Sequence, residues 1–258
     1  MSVTYQLNDD VALVTFDRPD RYNAIESSLS EGTTAALARA ANEARAVVLT
    51  GSGKAFCSGA DLADLIDDYR RDGPDLYSHL EKVFHPMVEA LIDCPVPTVA
   101  AVNGVAAGAG LGIALACDLR LMGESATFTS AFTAIGLVPD SGTTWWLPQM
   151  VGVSKALELT LTNRRVSAEE AVRIGLCVEV VPDDALTDRA IETASSLSDL
   201  VPDALVTTRR LIRNAAGSSF SEALAAEQRE QGRLGNTPEH LEGVNAFLEK
   251  RSPQFRSA

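Results

Sequence analysis

The sequence has no uninterrupted apolar run of the roughly 18–20 residues that cross a bilayer. Its longest candidate, from about Val96 to Leu121, is broken by Asn103, four glycines and Asp118, which excludes a spanning helix there. Positive charge is also scarce: 22 Lys and Arg face 35 Asp and Glu, a formal net charge of -13. Such a surface repels phosphate backbones and anionic lipid, so neither nucleic acid nor a membrane is expected as a partner. A few placed basic groups and backbone amides can still hold one anionic small molecule. Metal-ligand patterns are missing. His79, His85 and His240 fall in no H-E-x-x-H or related spacing, and no metal or permanent cofactor is expected. Cys57, Cys94, Cys117 and Cys177 form no C-x-x-C pair and sit mostly among apolar residues, which fits buried free thiols in a reducing compartment. The chain starts with strand-like sequence and shows no basic, apolar leader, so a cytoplasmic location is expected.

What is present is core-forming material: 46% of the 258 residues are hydrophobic and 22% charged, the profile of a globular chain. Val3–Leu7 and Val11–Phe16, separated by Asn8-Asp9-Asp10, predict a hairpin. A helical pattern runs from about Glu26 to Arg45, a buried strand over Ala46–Thr50, a helix over Tyr77–Asp93 and a strand over Pro97–Val102. The charged stretch from Asp61 to Asp75 reads as mobile. An apolar helix ending at Cys117 and strands at Asp118–Met122, Ala126–Phe128 and Cys177–Val181 complete an α/β body with mainly parallel pairing. From Asp183 onward the pattern is almost entirely helical. Residues 1 to about 195 are therefore expected to form the core and 196–258 a C-terminal helical region.

Two phosphate-loop readings fail. Gly51-Ser52-Gly53 follows a strand, but Phe56 stands where a dinucleotide loop needs its third glycine. Lys54 follows a glycine, yet Ala55 occupies the Ser/Thr position of a P-loop. No G-x-S-x-G elbow occurs. Two small-residue turns remain, Lys54 to Leu62 and Asn103 to Gly110, each leaving a buried strand. Each alone is an ordinary tight connection. Together they can present two unobstructed backbone N–H groups to one oxygen, the arrangement of an oxyanion hole.

These turns, with Arg18-Pro19-Asp20-Arg21-Tyr22-Asn23-Ala24, Ile135-Gly136-Leu137-Val138-Pro139-Asp140-Ser141-Gly142 and the tail Phe247 to Pro253, resemble the crotonase (enoyl-CoA hydratase/isomerase) superfamily in order and spacing across essentially the whole chain. The resemblance implies a crotonase-like spiral of β-β-α units, a C-terminal helical trimerisation region, and trimers or pairs of trimers. It implies an acyl-CoA substrate, with coenzyme A present only as part of the thioester. The amides of Ala60 and Ala109 would receive the thioester carbonyl. Arg21, Ala24, Asp61 and Leu62 would contact adenosine and phosphates, with Lys250 contributed by the tail of this or a neighbouring subunit.

Hydratases of that superfamily carry two glutamates, at positions occupied here by Gly112 and Phe132. The remaining acid is Asp140. A lone Asp before Ser-Gly is commonly a turn or cap residue, but the resemblance directs it into the acyl pocket as a single acid/base. The run Pro139-Asp140-Ser141-Gly142 and the tail look most like ring-1,2-epoxyphenylacetyl-CoA isomerases and Δ3,Δ2-enoyl-CoA isomerases. Phe128, Phe132 and Trp145 are candidates for the pocket wall. Three alternatives stay open: a 4-chlorobenzoyl-CoA-dehalogenase-like enzyme, in which Asp140 attacks the ring and His85 assists although Phe132 replaces a Trp; an enoyl-CoA hydratase; and a non-catalytic CoA-ester binder.

Overall fold

The computed structural model describes residues 2–71 and 73–255. β1 (Val3–Asn8) and β2 (Val11–Phe16) form the expected antiparallel hairpin, with Asn8 opposite Val11 and Asp9 left-handed at φ 50°. β1 is an edge strand and largely exposed, whereas β2 is paired on both sides and buried. α1 (Ser27–Glu43) is capped by the Glu26 carboxylate, which accepts from the amides of Ser28 and Leu29. Its Leu29, Thr33, Leu37 and Ala40 recur at helical spacing and are buried.

Three units then repeat one plan. β3 (Ala46–Gly51), β5 (Thr98–Val102) and β7 (Leu119–Gly123) extend the first sheet in parallel. Each turns a corner into a short strand of a second sheet: β4 (Ala55–Cys57), β6 (Val105–Ala107) and β8 (Thr127–Thr129). β9 (Val166–Ser167) closes the small sheet, in the order β4-β6-β8-β9, and β10 (Glu179–Val181) closes the large one, in the order β1-β2-β3-β5-β7-β10. β3 and β5 are buried throughout, which is why they read as Ala/Val-rich runs without alternation. This is the α/β spiral that the resemblance implied.

The corners account for the glycines that suggested a phosphate loop. A Cβ on Gly51 would collide with the Ala55 carbonyl, and one on Gly104 with the Lys54 carbonyl. Asn23 donates from Nδ2 to the carbonyls of Ser52 (2.9 Å) and Ala55 (2.7 Å). Asn103 accepts from the Gly51 amide (3.0 Å) and donates to the Gly53 carbonyl (3.1 Å). Two asparagines thus hold the corner shut.

The helix expected over Tyr77–Asp93 is present, running over 76–92 with a π turn inside it. α2 (Ile66–Arg70) and α3 (Leu76–His79) lead into a π turn over Leu80–Phe84, and α4 (His85–Ile92) follows. Pro86 lacks an N–H, and its ring would strike a carbonyl of the preceding turn in a regular α-helix, so that turn widens and the His85 amide bonds the Leu80 carbonyl. The charged stretch expected to be mobile contains α2; Asp72 within it lies outside the described residues. α5 (Ala109–Ala116) is wholly buried, α6 (Thr143–Thr162) is interrupted at Gly152, and α7 (Ala168–Arg173) begins directly after β9.

α8 (Leu186–Ser198) packs Leu186, Ala190 and Ala194 against Val48, Val99 and Leu121 of the large sheet, so residue 195 falls within a helix of the core. α9 (Pro202–Ala215), α10 (Phe220–Leu234) and α11 (Pro238–Glu249) follow. Asp118 anchors α9. Its carboxylate accepts from Arg209 and Arg213 at 3.0 Å each and from the Thr98 amide at 2.9 Å. The same arginines also donate to the carbonyls of Cys94 and Ala116. All three charged side chains are less than one-fifth exposed. Removing one member of a buried pair leaves uncompensated charge. Asp118→Asn should therefore lower stability by about 3–5 kcal/mol in urea unfolding, whereas Asp67→Asn, whose partner Arg70 is as exposed as itself, should change it by less than about 0.5 kcal/mol.

Candidate active site

A cavity of about 670 Å³ opens between the first turns of the spiral and the segment ahead of α6. One wall is Ser58-Gly59-Ala60, which follows β4. Gly59 is left-handed at φ 95°, a conformation that costs a side-chain-bearing residue. The Ile25 amide donates to the Gly59 carbonyl at 2.7 Å, and the Asp61 amide donates to the Ile25 carbonyl at 2.9 Å. This bridge uses the groups on either side of Ala60 and leaves the Ala60 N–H without a partner among the described residues.

The facing wall is Gly108-Ala109, at the start of α5. The Gly108 amide donates to the Thr129 carbonyl at 3.1 Å, which fixes the entry to the helix. Ala109 occupies its first turn, where N–H groups have no intrahelical acceptor. A Cβ on Gly59 would lie 3.0 Å from the Ala107 carbonyl oxygen and 3.4 Å from the Ala109 nitrogen, so the two turns touch backbone to backbone. Gly110 is tighter still: a Cβ there would overlap the Cys57 carbonyl. Cys57 itself is no nucleophile, because burial pushes its thiol up to about 12.

Asp140 lines the same cavity, as the one carboxyl among the described lining residues. Burial raises its pKa above the ordinary carboxylate value, while a hydrogen bond from the Ser141 hydroxyl (2.8 Å) and the charge of His85 oppose that shift. His85 and Phe132 also line the cavity. The π turn places His79, Leu80, Phe84 and His85 on it together, and Leu65, Tyr69, Tyr77, Leu137 and Val138 supply the rest of an aromatic and aliphatic wall. Leu65, Tyr69 and Tyr77 are not singled out by the sequence, where their signal is apolar residues interspersed in the charged stretch after Asp61.

Apart from Leu62, the other expected residues lie off the cavity lining. Phe128, on β8, is 1% exposed within the core cluster and does not line the cavity. Trp145 points away on the outer side of α6, edge-on to Trp146 and beside Arg209 and Arg213. Leu62 is half-exposed at the cavity, and Arg21 is exposed on a 3-10 turn over Pro19–Arg21. Asp61 is engaged by Arg18 in a 2.9 Å ion pair, and the same guanidinium donates to the Ala24 carbonyl. Lys250 is the left-handed cap of α11, outside the cavity lining. Gly112 faces the back of the Asp140 segment. A Cβ there would sit 2.7 Å from the Ser141 carbonyl oxygen and 3.0 Å from Thr143 Oγ1, leaving no volume for a side chain.

The family model described as enoyl-CoA hydratase/isomerase matches residues 6–258. The chain is 42% identical over 254 residues to a Rhodobacter capsulatus protein named "Probable enoyl-CoA hydratase", with 98% of this chain and 97% of that one covered. It is 37% identical over 247 residues to the 1,2-epoxyphenylacetyl-CoA isomerase of Escherichia coli, covering 95% and 94%. A crystal structure of an enoyl-CoA hydratase from Bacillus anthracis superposes with a TM-score of 0.92 at 32% identity over the full length of both chains.

The crowding at Gly112 is testable without substrate. Gly112→Ala should destabilise the protein by about 1–3 kcal/mol in chemical denaturation, as overpacking does in a filled interior, and Gly112→Glu should be worse.

Proposed function

The chain belongs to the enoyl-CoA hydratase/isomerase family, and on that premise we propose that it is an acyl-CoA isomerase working with one carboxyl group. The observation carrying this reading is that, among the described residues, Asp140 alone supplies a carboxyl to the cavity, which is also lined by Ala60 and Ala109, whose amides have no partner among those residues. Positions 112 and 132 hold no acid, and a side chain at 112 would meet the Ser141 backbone. That crowding counts against addition of water by two glutamates.

The thioester carbonyl accepts from the Ala60 and Ala109 amides, which stabilises negative charge on its oxygen; loss of one such donor typically costs roughly 10²–10³ in rate. The adjacent carbon thereby becomes acidic. Asp140 takes a proton from C2 of a 3-enoyl thioester, the electron pair delocalises to the carbonyl oxygen, and the proton returns to C4 as the double bond settles between C2 and C3. In an aryl epoxide, the same oxyanion support would assist ring-opening. Burial makes Asp140 a stronger base than an exposed aspartate.

Arg21, Leu62 and Lys250, with the backbone of Ala24 and Asp61, are assigned to the nucleotide end of coenzyme A. The chain is read as a cytoplasmic homotrimer or pair of trimers; Ile212, Phe220, Leu241, Phe247 and Leu248 are exposed apolar residues on α9–α11 that a neighbouring copy would cover. A second reading has one observation in its favour: His85 lines the cavity and its charge acts on Asp140, as a dehalogenase-like chemistry requires. Chloride release from 4-chlorobenzoyl-CoA would support it.

The test is a 3-enoyl-CoA assay following migration and hydration together. Asp140→Asn should lose roughly 10²–10⁴ in kcat while still binding the CoA ester. Unimpaired migration in that variant, or efficient 3-hydroxyacyl product from the wild type, overturns the assignment. The pH dependence has a definite sign. Asp140 works deprotonated, so kcat/KM should fall as pH drops through its raised pKa, with the acid limb above the ordinary Asp value of about 3.9. Because the folded pKa is raised, the fold loses stability as pH climbs from the unfolded value to the folded one. Asp140→Asn should thus be at least as stable as wild type at neutral pH.

A further inference from the structure

Position 141 carries a residue that its backbone disfavours. Ser141 and Gly142 are both left-handed, at φ 51° and 79°, and they close the turn that delivers the chain into α6. Gly142 suits that conformation. Ser141 does not, since a Cβ there crowds the following carbonyl. Strain of this kind persists where the surroundings enforce it and the side chain has a use. The surroundings are tight: Ser141 is 4% exposed, and its carbonyl oxygen and Cβ press on Gly112. The use is visible too, because its hydroxyl donates to Oδ1 of Asp140 at 2.8 Å.

We propose that Ser141 is a positioning residue: by holding Oδ1 of Asp140 it leaves Oδ2 as the single atom that takes the proton from one substrate carbon and gives it to the other. This rests on Asp140 being the proton carrier proposed above. The hydrogen bond is compatible with both states of the cycle. In the carboxylate, Oδ1 accepts from Ser141 while Oδ2 faces the substrate. After proton transfer from C2, Oδ2 carries the hydrogen and Oδ1, now the carbonyl oxygen of the acid, still accepts from Ser141. Rotation of the carboxyl would break that bond. The proton therefore stays on the substrate side until the dienolate electron pair at C4 recovers it, and exchange with water is suppressed.

Titratable side chains of several elements share the cavity with Asp140. His85 opens α4, and its charge favours the carboxylate. His79 and Tyr77 of α3 and Tyr69 of α2 line the same cavity. From α6 the Thr143 amide donates to the Asp140 carbonyl oxygen at 2.9 Å, not to its side chain.

Two variants separate the hydroxyl from the strain. Ser141→Gly removes both, and Ser141→Ala removes the hydroxyl alone. Migration of a 3-enoyl-CoA is run in D2O, with deuterium per product read by mass spectrometry and kcat/KM measured against pH. Both variants should lose about tenfold in kcat, the scale of one hydrogen bond to a charged group, with KM within about twofold. Both should incorporate more deuterium per turnover, and both should move the acid limb to higher pH, because a bond favouring the carboxylate is lost. Infrared difference spectra against Asp140→Asn should show the Asp140 carboxyl titrating higher in each variant. Ser141→Gly relieves backbone strain, so a folding defect does not mask its result. Unchanged deuterium content and an unmoved acid limb in Ser141→Gly, with Asp140→Asn inactive, overturn the role of Ser141 alone. Full activity in Asp140→Asn, or no migration by the wild type, overturns the reading on which the proposal rests.

Discussion

Everything at the candidate site depends on contact between two stretches of bare backbone. The strand β4 and the first turn of α5 meet where Gly110 faces the Cys57 carbonyl and Gly59 faces Ala107 and Ala109, with no side chain between them. Oxyanion stabilisation requires donors fixed near the place where charge develops, and peptide groups within ordered elements undergo little reorganisation when that charge appears. The two sheets serve this contact. Each corner brings a strand of the large sheet into the small one, and Asn23 and Asn103 tie off the corner carbonyls so that β4 and β6 lie side by side. Glycines at 51, 104 and 110 are then conditions of layer spacing.

On the proposed reading, the chemistry beside those two amides turns on how few acids line the cavity among the described residues. Gly112 lies one helical turn beyond Gly108 and faces the Asp140 segment, so the volume a longer side chain would need is already filled by Ser141 and Thr143. The left-handed turn that fills it also follows directly on Asp140, which lines the same cavity as the two amides. One packing arrangement thus removes room for a second carboxyl and presents the first.

Much of this was legible in the chain. The hairpin, the buried strands and the two small-residue turns follow from patterning and glycine placement, and Asp140 was identified by its motif. The Tyr77–Asp93 helix is legible from its apolar periodicity, but the π turn within it is not, because that depends on a missing N–H and a ring clash at Pro86. Phe128 and Trp145 show another limit. Hydrophobicity indicates that an aromatic ring will be covered, but whether by the core, a groove or a cavity depends on which layer its strand or helix faces. The Arg18–Asp61 pair joins residues 43 apart, a juxtaposition no local pattern contains.

That pair also bears on how an acidic chain accommodates an anionic ligand. With a formal net charge of -13, the mean field opposes phosphate, so binding on the proposed reading must rely on local arrangement. Asp61 follows the oxyanion turn directly and would be the nearest carboxylate to repel the ligand. Arg18 neutralises it at 2.9 Å and draws in the Ala24 carbonyl, another negative pole of the same rim. Arg21, exposed on the adjoining 3-10 turn, is then left facing solvent without that competitor. On the proposed reading, a partly buried cation can thus favour a nucleotide site by cancelling the charge that would exclude it.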